Sequence, residues 1–200
     1  MIRVWDPLIR MFHWGLAGCF ALAWLSAEEV QPLHEFCGYT AAALVAVRVL
    51  WGIFGSRYAR FSQFVQGPRA VVAYLKDMIA GRERRYLGHN PAGAAMIVAL
   101  LVSMAGTTGT GWLMTRSEAQ AMLPALVTPA YADDHARDEH RGAASTGPLK
   151  EVHEVLANLM VLLVAVHIGG VALASVRHRE NLARAMVTGL KRPADAGDIG

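Results

Sequence analysis

Four long apolar runs organise the chain, at about residues 8–27, 34–54, 92–114 and 152–176. Each is long enough, as an α-helix, to cross roughly 30 Å of hydrocarbon. Glu28 and Glu29 close the first run, Pro32 precedes the second, and Gly55 ends it. His89-Asn90-Pro91 reads as a helix start, with Asn90 as N-cap and Pro91 at the first helical position. In the third run Gly106, Gly109 and Gly111 suit close approach of another helix. Residues 56–91 are polar, but 68–79 place apolar side chains at helical spacing, predicting a short amphipathic helix at the interface. Residues 116–150, rich in Asp, Glu, His, Gly and Ala, read as a loop. From Arg177 the tail is basic, then rich in Pro, Gly and Asp, and 193–200 is expected to be flexible. No repeat of 20–50 residues is evident. The pattern predicts an all-α integral membrane four-helix bundle, one unit over residues 1–192.

Composition agrees: 54% of the residues are hydrophobic and the mean hydropathy is +0.30, too apolar for an ordinary soluble domain. The net charge of +3 is explained by topology rather than by nucleic acid, because the basic residues form no reading face. Four crossings place both termini and the 56–91 connection on one side. That side holds fourteen of the nineteen Lys and Arg: two in the head, seven in the connection and five in the tail. The other side has Glu28 and Glu29, and a 116–150 loop with four basic residues against five acids. The positive-inside rule then puts both termini in the cytoplasm. The first run is interrupted by His13 and Trp14 and does not resemble a cleavable signal. Cys19 and Cys37 lie in or beside apolar runs and read as buried thiols. There is no CxxCH, so covalent haem attachment is not expected. The tryptophans, with Tyr39, Tyr58 and Tyr86, mostly cluster near helix ends, as in an interfacial aromatic belt.

Histidines inside the apolar runs carry the chemistry. His153 and His167 are fourteen residues apart, within about 40° of four full turns, so they share a face about 21 Å apart along the axis. An imidazole in hydrocarbon is costly and marks a functional site by default. His13 lies near the terminus end of the first helix, and His34 near the far end of the second. The four sort by depth into an inner pair, His13 with His167, and an outer pair, His34 with His153. Facing imidazoles at matched depth can hold a haem between them, and two such haems form a wire across the bilayer. Zinc or copper fits matched pairs without Cys or carboxylate at the same depth poorly. Arg48, fourteen residues after His34, falls near the inner pair, where it either binds a haem propionate or snorkels to the surface. His89 and His178, at the border, either line a quinone pocket, donate to a propionate or are solvated. His135 and His140 read as solvated loop residues.

Several spaced motifs then agree in order: VWDPLIRMFHW, LHEFCGY followed by RVLWGIFGSRYARF, GHNPAGAAM, EVHEVLANLMVLLVAVH and HRENLARAMVTGLKR. Together, over about residues 3–192, they resemble the bacterial cytochrome b561 family, which includes the cytochrome b subunits of nickel-iron hydrogenases. The resemblance implies a four-helix cytochrome of the bacterial inner membrane. It implies two non-covalent haem b groups with His13, His34, His153 and His167 as axial ligands. It also implies electron transfer between the quinone pool and a partner. The leading expectation is a periplasmic redox partner such as a c-type cytochrome. The other readings are a membrane anchor in a hydrogenase-like complex, a stand-alone quinol or superoxide oxidoreductase, and a haem-free transporter. A homodimer is compatible with all of them. The 116–150 stretch matches no motif of the family.

Overall fold

The computed structural model describes residues 1–122 and 138–199, and the side chains of 1–116 and 147–199. The long helices are α1 (Pro7–Ser26), α2 (Gln31–Phe54), α5 (Pro91–Met122) and α6 (Asp138–Arg177). The shorter ones are α3 (Phe61–Phe64), α4 (Pro68–Ile79) and α7 (Leu182–Thr188). Four segments are long and apolar enough to cross a membrane: Pro7–Ser26, Gln31–Phe54, Pro91–Arg116 and Gly147–Arg177. Their outward side chains are apolar and exposed, among them Leu25, Leu50, Val102, Leu162 and Ile168. Such a surface is stable only against lipid or another apolar face.

Local chemistry starts the helices where the sequence placed them. The Asp6 carboxylate accepts the Ile9 N–H at 2.9 Å and caps α1, with Pro7 at its first position. Asn90 Oδ1 accepts the Gly93 N–H at 2.7 Å and caps α5 in the same way. The loop expected from residue 116 is shorter than the pattern suggests. Helix α5 continues to Met122 and α6 begins at Asp138. Hydropathy locates the part of a helix that sits in lipid, whereas Ala, Glu, Gln and Arg continue it through water at little cost. The remainder of that loop lies outside the described residues. Pro148 falls inside α6, where it removes one backbone hydrogen bond.

Helix α1 packs on α2, α2 on α5, and α5 on α6. Their shared core is Ala41, Val45, Leu101, Met104 and Met160, joined by Leu16, Phe20 and Val164. Gly106 admits Leu156, whose Cδ1 would lie 3.0 Å from an added Cβ, so α5 and α6 approach closely there. Gly109 faces open space instead.

A small folded cap covers the terminus end. Strand β1 (Ile2–Arg3) pairs antiparallel with β2 (Leu190–Lys191), Ile2 opposite Lys191 and Arg3 opposite Leu190. Gly189 ends α7 at φ +79°, and its carbonyl accepts the Val4 N–H at 2.9 Å. A side chain there would be strained and would meet the Trp5 carbonyl at 2.6 Å. Buried Arg85 gathers the tail, donating to Glu180 at 2.9 Å, to Asp198, and to the Arg192 carbonyl at 3.0 Å. Lys191 Nζ reaches the Leu87 carbonyl at 2.9 Å. In the 193–200 stretch, expected to be flexible, Ile199 bridges to the 85–87 segment: its N–H meets the Arg85 carbonyl at 2.9 Å and its carbonyl accepts the Leu87 N–H at 2.9 Å. Buried Arg85, which also donates to the Pro193 carbonyl at 3.3 Å, holds a segment whose composition alone reads as unstructured.

Candidate functional site

Helices α1 and α6 share no extended backbone contact, nor do α2 and α6. Those are the helix pairs that carry the four histidines. The separations are spanned by rings. His13 and His167 lie with ring centres 6.3 Å apart and planes at 50°. His34 and His153 lie with centres 6.1 Å apart and planes at 66°. All four expected residues are therefore brought together in the expected partnership. Met160, halfway between His153 and His167 in sequence, is 1% exposed, so the space between the pairs is filled by packed apolar side chains.

The outer rings are fixed by main-chain carbonyls. His34 Nδ1 lies 2.9 Å from the Ala23 carbonyl, and His153 Nδ1 lies 2.9 Å from the Thr107 carbonyl. A carbonyl only accepts, so Nδ1 carries the proton in both and Nε2 keeps its lone pair. Thr110 Oγ1, 3.1 Å from His153 Nδ1, accepts from the same N–H while donating to the Gly106 carbonyl at 2.9 Å. Gly111 gives His153 room, since an added Cβ would sit 3.2 Å from its Cε1. The threonines of α5 were missed by histidine-led reading. Their signal was a cluster of hydroxyls, Thr107, Thr108 and Thr110, in the 92–114 run, whose other hydroxyl is Ser103.

The inner rings have a different setting. His13 Nδ1 is sealed from solvent and has no hydrogen-bond partner. Arg48 is 3% exposed, so it does not reach the surface, and its Nη1 is also unpartnered. Its guanidinium lies 4.7 Å over the Phe61 ring. Gly52 makes this possible, because any Cβ there would collide with Phe61. Beyond Phe61 come Phe64, at 5.7 Å between centres, and His89, 4.6 Å further. Trp5 closes the far face of His89 at 4.6 Å. Enclosure pushes the His89 pKa down to about 3, and the nearby Arg48 and Lys191 charges push the same way. Asp6, besides capping α1, accepts Trp51 Nε1–H at 3.1 Å and the Ser56 hydroxyl. Burial alone would raise its pKa, but these donors outweigh it and hold it low. Among the described residues His178 makes no side-chain hydrogen bond, and it sits in the cap near Glu83, whose carboxylate accepts from Arg177 at 2.7 Å. His135 and His140 lie outside the described side chains.

Do these residues fit a metal porphyrin? Two metal–imidazole bonds of about 2 Å, with the ring radii added, put ring centres roughly 6 Å apart. Both observed separations agree with this. Both sites expose imidazole donors at helices held apart, and the inner one adds an unpaired buried cation suited to a carboxylate. Such a fold and donor set define a membrane-embedded helical cytochrome. The family comparison is specific: the model for prokaryotic cytochrome b561 matches residues 4–189, and the chain belongs to that family. Membership makes it a membrane cytochrome b that binds b-type haem and serves transmembrane electron transfer. No curated protein and no solved structure matches the chain.

Proposed function

We propose that the chain holds two haem b groups, one between His13 and His167 and one between His34 and His153. It passes electrons between membrane quinone and a redox protein outside the cytoplasmic membrane. The carrying observation is the pair of ring separations, 6.3 Å and 6.1 Å, at opposite ends of one packed bundle. Each haem, when bound, would supply a one-electron carrier held by two imidazoles. The residues do the rest. Nδ1–H bonds to the Ala23 and Thr107 carbonyls aim Nε2 of His34 and His153 inward. Arg48 offers its free Nη1 to a propionate near the inner pair. The apolar core around Met160 excludes water between the two sites.

The terminus-bearing side is assigned to the cytoplasm by its excess of Lys and Arg. Helix α4 lies at that interface. Its exposed Val72 and Ile79 face the lipid, while Tyr74 turns inward against Tyr86. The test is pyridine-haem quantitation with reduced-minus-oxidised spectra on the purified chain. Two haems per chain are expected. His13→Ala and His167→Ala should lose one and the same haem, and His34→Ala and His153→Ala the other. One haem per chain in the wild type, or spectra unchanged in all four variants, rejects the assignment.

A further inference from the structure

The two histidine pairs differ in ways that bear on electron direction. Both outer imidazoles donate Nδ1–H to a main-chain carbonyl, and His153 has Thr110 Oγ1 as a second acceptor. Such bonds raise the basicity of the coordinating nitrogen. A more basic ligand favours the oxidised metal and lowers its reduction potential. The inner pair lacks this support: His13 Nδ1 has no partner, and His167 makes no side-chain hydrogen bond among the described residues.

Charge acts in the same direction. Arg48 is a buried cation at the depth of the inner pair, and a nearby positive charge favours the reduced state. Its closest acid, Asp6, already accepts from Ile9 N–H, Trp51 and Ser56. The other cap carboxylates are matched by cations, Glu83 by Arg177, and Glu180 and Asp198 by Arg85 and Lys191. Among the described side chains, the outer end carries Glu28, Glu29, Glu35, Glu151 and Glu154 against Arg116, which lies over Trp112, and Lys150, which pairs with Glu154.

We propose that the ligand surroundings set the outer site at a lower potential than the inner one, so that electrons run downhill from the outer surface to the terminus-bearing side. The inference rests on the bis-histidine reading above. Each transfer oxidises the outer site by one electron and reduces the inner site by one, with no bond made or broken. A redox protein outside is then the reductant. Quinone is the oxidant, taking up two electrons and two protons in two such transfers. An electron moving inward runs against an inside-negative membrane potential, and a higher inner potential offsets that work.

The experiment is a potentiometric titration of the purified, haem-loaded full chain, followed in the α-band, with haem counted in the same samples. Wild type should show two waves. Their separation should correspond to at least a tenfold partition of one electron, about 59 mV. In His34→Ala the higher wave should remain. In Thr110→Val the lower wave should rise while the higher stays, and Thr110→Ser, which keeps the hydroxyl, should leave both in place. Should His34→Ala bind no haem, the Thr110 pair still assigns the waves. Coincident waves, survival of the lower wave in His34→Ala, or a Thr110→Val effect absent or confined to the higher wave overturns the inference. With two haems counted, those results leave the ligand assignment standing; a count other than two overturns the assignment and this inference with it.

Discussion

The two ends of the bundle hold the same kind of donor pair by different means. At the outer end, helix geometry and main-chain carbonyls do nearly everything: His34 leans on Ala23, and His153 on Thr107. At the inner end no main-chain group supports His13, and the neighbourhood is built by side chains from a folded cap. Trp5, Phe61, Phe64, His89 and Arg48 converge there from four separate stretches of chain. The outer site is thus a local construction on packed helices. The inner site depends on everything that follows Phe54 and precedes Pro91, and on the C-terminal tail.

The comparison can be broken by removing single groups. The largest effect belongs to the imidazoles themselves. Each His→Ala variant should halve the haem signal, with the inner and outer pairs affecting different halves of the spectrum.

Next in size is Arg85→Ala, which leaves Asp198 without its buried cation and Glu180 with Lys191 alone. Breaking a buried pair this way costs about 3–5 kcal/mol. Thermal denaturation followed in the Soret region should show the inner haem released well before the outer one. Simultaneous release at the wild-type temperature would mean that the cap does not support the inner site.

His89 gives a smaller and pH-dependent effect. Its pKa is about 3 when folded, below the ordinary 6.5. The unfolded chain therefore binds the extra proton first as pH falls. Stability tied to His89 is fully present above pH 6.5 and declines towards pH 3, by about 1.4 kcal/mol per pH unit. Melting at pH 7 and pH 5 should differ by more in the wild type than in His89→Phe. Equal slopes would show that His89 is not held neutral.

The smallest effect is expected from Gly111→Ala. The new methyl meets His153 Cε1 at 3.2 Å, so the ring must give by a few tenths of an ångström. Outer-haem absorbance should shift slightly with the inner spectrum unchanged, and a shift in both would deny that the two ends are separate.

Much of this molecule was legible from residue order. Apolar runs located the spans, Asn90-Pro91 located a helix start, and the fourteen-residue spacing of His153 and His167 put two imidazoles on one face. These are properties of a single helix, governed by a fixed rise and turn per residue, so no partner is needed to deduce them. Even the pairing by depth followed, because a membrane forces each helix to cross end to end. The ends of α5 and α6 were less legible, because hydropathy reports lipid contact and not backbone conformation.

Tertiary structure alone decided the rest. The burial of Arg48 against Phe61, the enclosure of His89, and the capture of the tail by Arg85 join residues far apart in the chain. Arg, His and Asp are ordinarily solvated, so composition alone carries no sign of their burial. Burying each required a partner supplied from elsewhere, a ring face, a carboxylate or a main-chain carbonyl. Which partner arrives depends on how the connections fold back over the helix ends, and the periodicity of one segment contains no record of that.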